Sequence, residues 1–125
     1  MKKELTLNEY QEKAMVTCLP SCRNEVYAIN GLQAEVGEIA DKVAKWVRKG
    51  ICRIDNNHLV WNTSDEALVA EYRKELALEV GDVKWFVSLL SLLLGYTENE
   101  IGQMNLDKLR DRASRNVIIG NGDNR

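Results

Sequence analysis

The sequence predicts an all-α fold, a four-helix-bundle-like arrangement, and three observations predict it. Apolar residues recur every three or four positions over most of the chain. Three segments open on a Thr-x-x-Glu capping pattern, at Thr6, Thr63 and Thr97. The motif Leu-x-x-Glu-Val-Gly-acid-aliphatic occurs twice inside the longest periodic stretches, from Leu32 to Ile39 and from Leu76 to Val83. At 125 residues the chain reads as one domain, large enough to bury about two thirds of its unfolded surface.

The first helix is expected to start at Thr6-Leu7-Asn8-Glu9 and run to about Cys18, before Pro20 and Ser21 interrupt it. A second runs from near Asn24 to Lys49. Ile29, Leu32, Val36, Ile39, Val43, Trp46 and Val47 form its apolar face, and Gly50 stops it. Gly31 and Gly37 weaken that helix locally. From Ile51 to Asn62 the helical period fails, and either a short hairpin around Asp55-Asn56-Asn57 or an irregular excursion fits. Within it Trp61 is a packing anchor or an aromatic lid, with packing preferred. A third helix opens at Thr63-Ser64-Asp65-Glu66 and ends at Gly95; its second half, Trp85 to Leu94, is apolar nearly all round. A fourth starts at Thr97-Glu98-Asn99-Glu100, anchored by Ile101, Met104, Leu106 and Leu109. The glycine- and asparagine-rich stretch 115–125 reads as a loose arm.

A formal net charge of −2 argues against a generic nucleic-acid binder, which would show a basic face. The longest apolar run is too short for a membrane span, and the N-terminus lacks the apolar centre of a signal peptide, so a cytoplasmic protein is expected. Cys18, Cys22 and Cys52 with the single histidine, His58, supply a zinc inventory, but Cys18-x3-Cys22 is not a knuckle spacing. Ordinary reduced thiols are the better reading.

The repeated motif carries the chemistry. Residues three apart share a helix face, so Glu35 pairs with Glu38 and Glu79 with Asp82. Each copy also places a glycine inside a helix, at about 1 kcal/mol relative to alanine, and two like charges side by side. A lone Glu-x-x-Glu is ordinarily a solvated edge. Its recurrence beside apolar stripes points instead to a four-carboxylate cation site between two antiparallel helices. Asp41 extends the acid row but rotates off the face, and Glu75 either reaches the site or pairs with a surface cation. An all-oxygen donor set suits Mg²⁺, or Mn²⁺, rather than zinc or copper. Phosphoryl chemistry follows as the reaction class, since Mg²⁺ on such acids keeps positions open for substrate phosphates.

Glu35-x-x-Glu38 and Glu79-x-x-Asp82, in the contexts Gly31-Leu32-x-x-Glu35-x-Gly37-Glu38 and Glu79-Val80-Gly81-Asp82-Val83-x-Trp85-Phe86, resemble the MazG-type all-α nucleoside triphosphate pyrophosphohydrolases. Asn105-x-x-Lys108-Leu109-x-x-Arg112 is similar to the segment that follows in that family, and Gly122-Asp123-Asn124-Arg125 to the tail of some small members. The resemblance implies hydrolysis of an NTP or dNTP to its monophosphate and pyrophosphate, with nucleotide-pool house-cleaning as its biological setting. It implies Mg²⁺ on Glu35, Glu38, Glu79 and Asp82, with Glu35 as the base that prepares the attacking water. Asn105, Lys108 and Arg112 would hold the phosphates, Trp46, Trp61 and Trp85 are candidates for packing the base, and a homodimer or homotetramer is implied. The same fold also serves dUTP or phosphoribosyl-ATP, and a non-catalytic helical interaction module is the alternative of a different class. Three departures stand out: a long span between Glu38 and Glu79, Leu78 where many relatives carry glutamate, and Lys84 where an aliphatic residue is common. Lys84, two positions past Asp82, is expected to face away from the acids.

Overall fold

The computed structural model describes residues 2–119; the Gly122–Arg125 tail motif lies outside them. Helix α1 spans Leu7–Met15, a single 3₁₀ turn Pro20–Cys22, α2 Glu25–Arg48, strands β1 and β2 Cys52–Asp55 and His58–Trp61, α3 Glu66–Leu93 and α4 Glu98–Ser114. The fold is all-α with one short antiparallel hairpin.

Local chemistry sets the boundaries. The capping boxes at Thr6 and Thr97 both form, each threonine hydroxyl accepting from the backbone N–H three residues on while the glutamate there accepts from the threonine N–H. The third helix departs from expectation: its cap is Asp65, which accepts from the Ala67 and Leu68 N–H groups, while Thr63 accepts from Asp65 N instead. An Asp at the cap binds the first-turn donors directly, so the box two residues earlier is not used. Helix α1 also ends at Met15 rather than near Cys18. Thr17 Oγ1 donates to the Ala14 carbonyl at 2.6 Å and Arg23 donates to the Met15 carbonyl at 2.8 Å, satisfying the last turn without further helix.

Gly50 ends α2 at a φ of 74°, with Ile51 N–H on the Trp46 carbonyl and Gly50 N–H on that of Val47. Gly95 ends α3 in the same way at a φ of 87°, through Tyr96 to Ser91 and Gly95 to Leu92. Between β1 and β2 the two-residue turn is Asn56-Asn57, at φ 49° and 65°. Both are left-handed, as a tight hairpin turn requires and as asparagine tolerates. Of the two readings of 51–62, the hairpin is the one observed.

Helices α2 and α3 form the long antiparallel pair that the rest of the chain packs on. Gly31 meets Phe86 at one end, and Lys42 meets Glu75 and Glu79 nearer the other. The hairpin closes that other end: Trp61 stacks on Tyr72 with 5.4 Å between centroids, and Trp46 packs against both. Helices α1 and α4 sit on the C-terminal half of α3. Gln11 donates to the Ser88 and Tyr96 carbonyls and accepts from Glu98 N–H, while buried Glu98 accepts from Ser88 Oγ and from Lys84 at 2.7 Å. A core of Met15, Cys18, Ala28 and Leu89 lies between α1, α2 and α3. It is thin for a bundle. Val36, Val47, Leu78, Val80 and Ile54 are all exposed, and in the apolar stretch of α3 Leu92 and Leu94 stay exposed while Phe86 and Leu89 turn inward.

Candidate metal centre

The antiparallel register of α2 and α3 converts two linear motifs into one cluster. Carboxylate oxygens of Glu35, Glu79 and Asp82 all lie within 4.8 Å of one another. Glu35 and Glu79 are half-buried and Asp82 is exposed. Glu35 Oε2 and Glu79 Oε2 are buried and meet no hydrogen-bond donor. Burial pushes the Glu35 carboxyl above its usual range, and Glu38, Asp82 and Glu79 push it further. Glu38 is thus close to Glu35, although it stands outside the trio and is itself exposed. Unpaired buried carboxylate oxygens facing one another are costly, and a hard divalent cation is the ligand whose chemistry removes that cost. The donor set fits such an ion.

Lys42 is the residue that motif reading missed. Its ammonium lies 3.5 Å from Glu79 Oε1 and 3.7 Å from Glu75 Oε2, while Glu79 Oε2 is buried and has no partner among the described residues. The signal was present: Lys42 stands four residues after Glu38 and seven after Glu35, on the same helix face. Of the two readings of Glu75, pairing with a surface cation is therefore the one observed. Asp41 pairs with Lys45 at 2.6 Å in solvent, off the cluster. Lys84 faces away from the acids, on Glu98 and over the Tyr10 ring.

Two open concavities flank the acids. One, of ≈ 310 Å³, is lined by Tyr27, Glu35, Asp82, Trp85 and Phe86. The other, of ≈ 440 Å³, is lined by Glu38, Asp41, Lys42, Lys45, Trp46, Lys49 and Glu79. The three tryptophans separate accordingly. Trp85 borders the acids, with its indole N–H on Thr17 at 2.9 Å, whereas Trp46 and Trp61 are packing partners under the hairpin and Trp46 reaches the second concavity. Tyr27 and Phe86, 5.5 Å apart, complete the aromatic wall that the motifs did not announce. Asn105 and Lys108 line a separate concavity of ≈ 270 Å³ with Ile101 and Met104, and Arg112, on the last turn of α4, is buried. Neither concavity beside the acids is lined by a residue of α4. The thiols are dispersed: Cys18 in the core, Cys22 in the 3₁₀ turn, Cys52 buried at the start of β1, with His58 exposed on β2.

The glycines divide too. A Cβ on Gly31 would fall 2.0 Å from the Phe86 ring, so close packing of α2 on α3 explains that residue. At Gly37 and Gly81, the glycines of the repeated motif, a Cβ would meet nothing within 4 Å. Packing among the described residues does not account for them.

No helix among the described residues is long and apolar enough to cross a membrane. No protein-family model matches the chain, and no solved structure matches it. It is 38% identical over 99 residues to the Gene 37 protein of Mycobacterium phage L5, a match spanning 79% of this chain and 75% of that protein. On that likeness the chain belongs to the family of the phage L5 Gene 37 protein.

Proposed function

We propose that the chain is a Mg²⁺-dependent pyrophosphohydrolase of the MazG type, converting an NTP or dNTP to the monophosphate and pyrophosphate. One observation carries the reading: Glu35, Glu79 and Asp82 converge from two helices with two buried oxygens that no protein donor meets. Glu35, Glu79 and Asp82, with Glu38 beside them, would hold Mg²⁺ or Mn²⁺. The cation, when bound, supplies charge neutralisation at the phosphates and a more acidic water. The protein's own groups do the rest. Glu35, at the junction of the acids and the aromatic wall, is the group placed to take the proton of the attacking water. Lys42 holds Glu79 in orientation, as partners of metal-binding carboxylates do. Tyr27, Trp85 and Phe86 offer an apolar wall for a nucleobase next to Glu35 and Asp82.

The test is pyrophosphate release from a panel of NTPs and dNTPs, with Mg²⁺ and with EDTA. Metal-dependent release from one or a few nucleotides supports the reading and identifies the base. Silence across the panel, in a protein that binds metal, would overturn it in favour of a helical interaction module. Asn105 and Lys108 line a concavity other than the two beside the acids, and Lys108→Ala tests their part. A fall in kcat/KM assigns them to a neighbouring copy's site, and an unchanged value removes them.

Self-association has its own support. Val36, Ile39, Val43, Val47 and Ile54, with Ala40 and Ala44, line an almost wholly apolar groove of ≈ 740 Å³ along α2. Contiguous apolar surface of that kind marks an interface, and the thin core leaves it uncovered within one chain. A homodimer or homotetramer buries it, and Val43→Asp is expected to shift the mass measured by light scattering to the monomer.

A further inference from the structure

We infer that the concavity running along α2 beyond the carboxylates binds the terminal phosphates of the substrate, with Lys45 and Lys49 as the anion-holding residues. This rests on the pyrophosphohydrolase reading and deepens it, because it sets the direction in which the polyphosphate leaves the acid cluster.

Glu38 and Glu79, two members of the acidic motifs, form one end of this concavity, so it is continuous with the cluster rather than a distant patch. Lys42, Lys45 and Lys49 line it at spacings of three and four, which puts all three ammonium groups on one helix face. Over seven residues that face advances about 10 Å, the scale of a polyphosphate chain laid along the helix. The three lysines are graded. Lys42 is committed to Glu75 and Glu79. Lys45 pairs with Asp41, both side chains more than half exposed, and a solvated pair of that kind exchanges readily for a phosphate. Lys49 has no ion-pair partner among the described residues. Cations also suit the C-terminal turn of a helix through its dipole, and that accounts for Arg48 and Lys49 being basic. It does not account for three ammonium groups sharing a concavity with Glu38 and Glu79. Nor does the partial negative charge of the helix end, about half a unit, cancel three full positive ones. The aromatic wall of Tyr27, Trp85 and Phe86 lies on the other side of the cluster. The two concavities therefore order a nucleotide across the acids, base at one side and leaving pyrophosphate at the other.

The test uses the full chain and inorganic tripolyphosphate as probe, titrated in saturating Mg²⁺, with Mn²⁺ binding alone measured in parallel. The variants are Lys45→Gln/Lys49→Gln, both exposed, and Arg48→Gln/Lys74→Gln as a charge-matched control, its two residues also exposed and neither lining the concavity. Tripolyphosphate affinity is expected to fall at least tenfold in the double variant and to stay within twofold in the control. Mn²⁺ affinity is expected to stay unchanged in both, and where turnover is followed KM rises more than kcat falls. Equal tripolyphosphate affinity in wild type and double variant overturns the inference while leaving the metal site standing. Absence of Mn²⁺ binding in the wild type overturns the reading beneath it, and the inference with it.

Discussion

Replacing Gly31 by alanine adds one methyl group at a close approach between α2 and α3. The added carbon would fall 2.0, 2.4 and 2.6 Å from three carbons of the Phe86 ring. Ordinary contact begins near 3.4 Å, so the ring must retreat by about 1.4 Å. Phe86 is buried and already packed on Tyr27 at 5.5 Å and on Trp85 at 4.9 Å, which leaves little room to swing. Overpacking of this kind costs about 1–3 kcal/mol. Alanine returns up to about 1 kcal/mol of helix propensity. The net is a loss of about 1–2 kcal/mol, or a Tm lower by roughly 4–8 °C for a domain of this size. Gly37→Ala is the internal control. It makes the same change on the same helix where the new carbon meets nothing within 4 Å, and it is expected to raise stability by about 0.5–1 kcal/mol. Thermal unfolding followed by circular dichroism at 222 nm, without divalent metal, measures both. Equal shifts in the two variants, or a stabilised Gly31→Ala, would refute the close α2–α3 packing on which the register of the acids depends.

Other perturbations reach the site and its supports. The raised Glu35 carboxyl favours the proton in the folded state, so its contribution to stability is full below the ordinary value of 4.5 and is lost as pH rises through the higher folded value. Metal-free Glu35→Gln is therefore expected to be more stable than wild type at pH 7 and indistinguishable at pH 4; a gap that is the same at both pH values would contradict the shared-charge account. Asp82→Asn and Glu38→Gln are expected to fold normally and to lose turnover by at least a hundredfold in the pyrophosphate assay, and retention of activity in both would sink the site. Glu98→Ala removes the acceptor shared by Ser88 and Lys84 and is expected to cost about 2–3 kcal/mol in urea denaturation. Trp61→Ala strips the hairpin of its stack on Tyr72 and is expected to speed hydrogen exchange at β1 and β2 while leaving metal affinity intact.

How far the sequence spoke for itself depended on the range of the interaction. Capping at Thr6 and Thr97, and the glycine stops at Gly50 and Gly95, involve donors and acceptors within six residues, and they were legible in the spacing. The Thr63 box was legible but misleading, because Asp65 competes for the same first-turn N–H groups two residues later. The hairpin was only half legible, since two asparagines in left-handed backbone depend on the hydrogen-bonded register beyond them. Helical period put the acids on faces. It did not say which faces meet, and the antiparallel offset that sets Glu35 against Glu79 and Asp82 comes from long-range packing such as Phe86 on Gly31. The same limit hid Lys42, whose partners Glu75 and Glu79 lie more than thirty residues away in sequence. It also hid the separation of Trp85, at the acids, from Trp46 and Trp61 under the hairpin.

The central claim is that Glu35, Glu79 and Asp82 form one divalent-cation site, and direct titration of Mn²⁺ into the metal-free protein tests it. Free Mn²⁺ followed by its electron paramagnetic resonance signal gives affinity without any assumption about substrate. The account expects saturable binding by the wild type, weakened at least tenfold by Glu79→Gln and by Asp82→Asn, with unfolding temperature rising with metal in the wild type alone. Binding of equal strength in all three proteins, or no binding in the wild type, would contradict it.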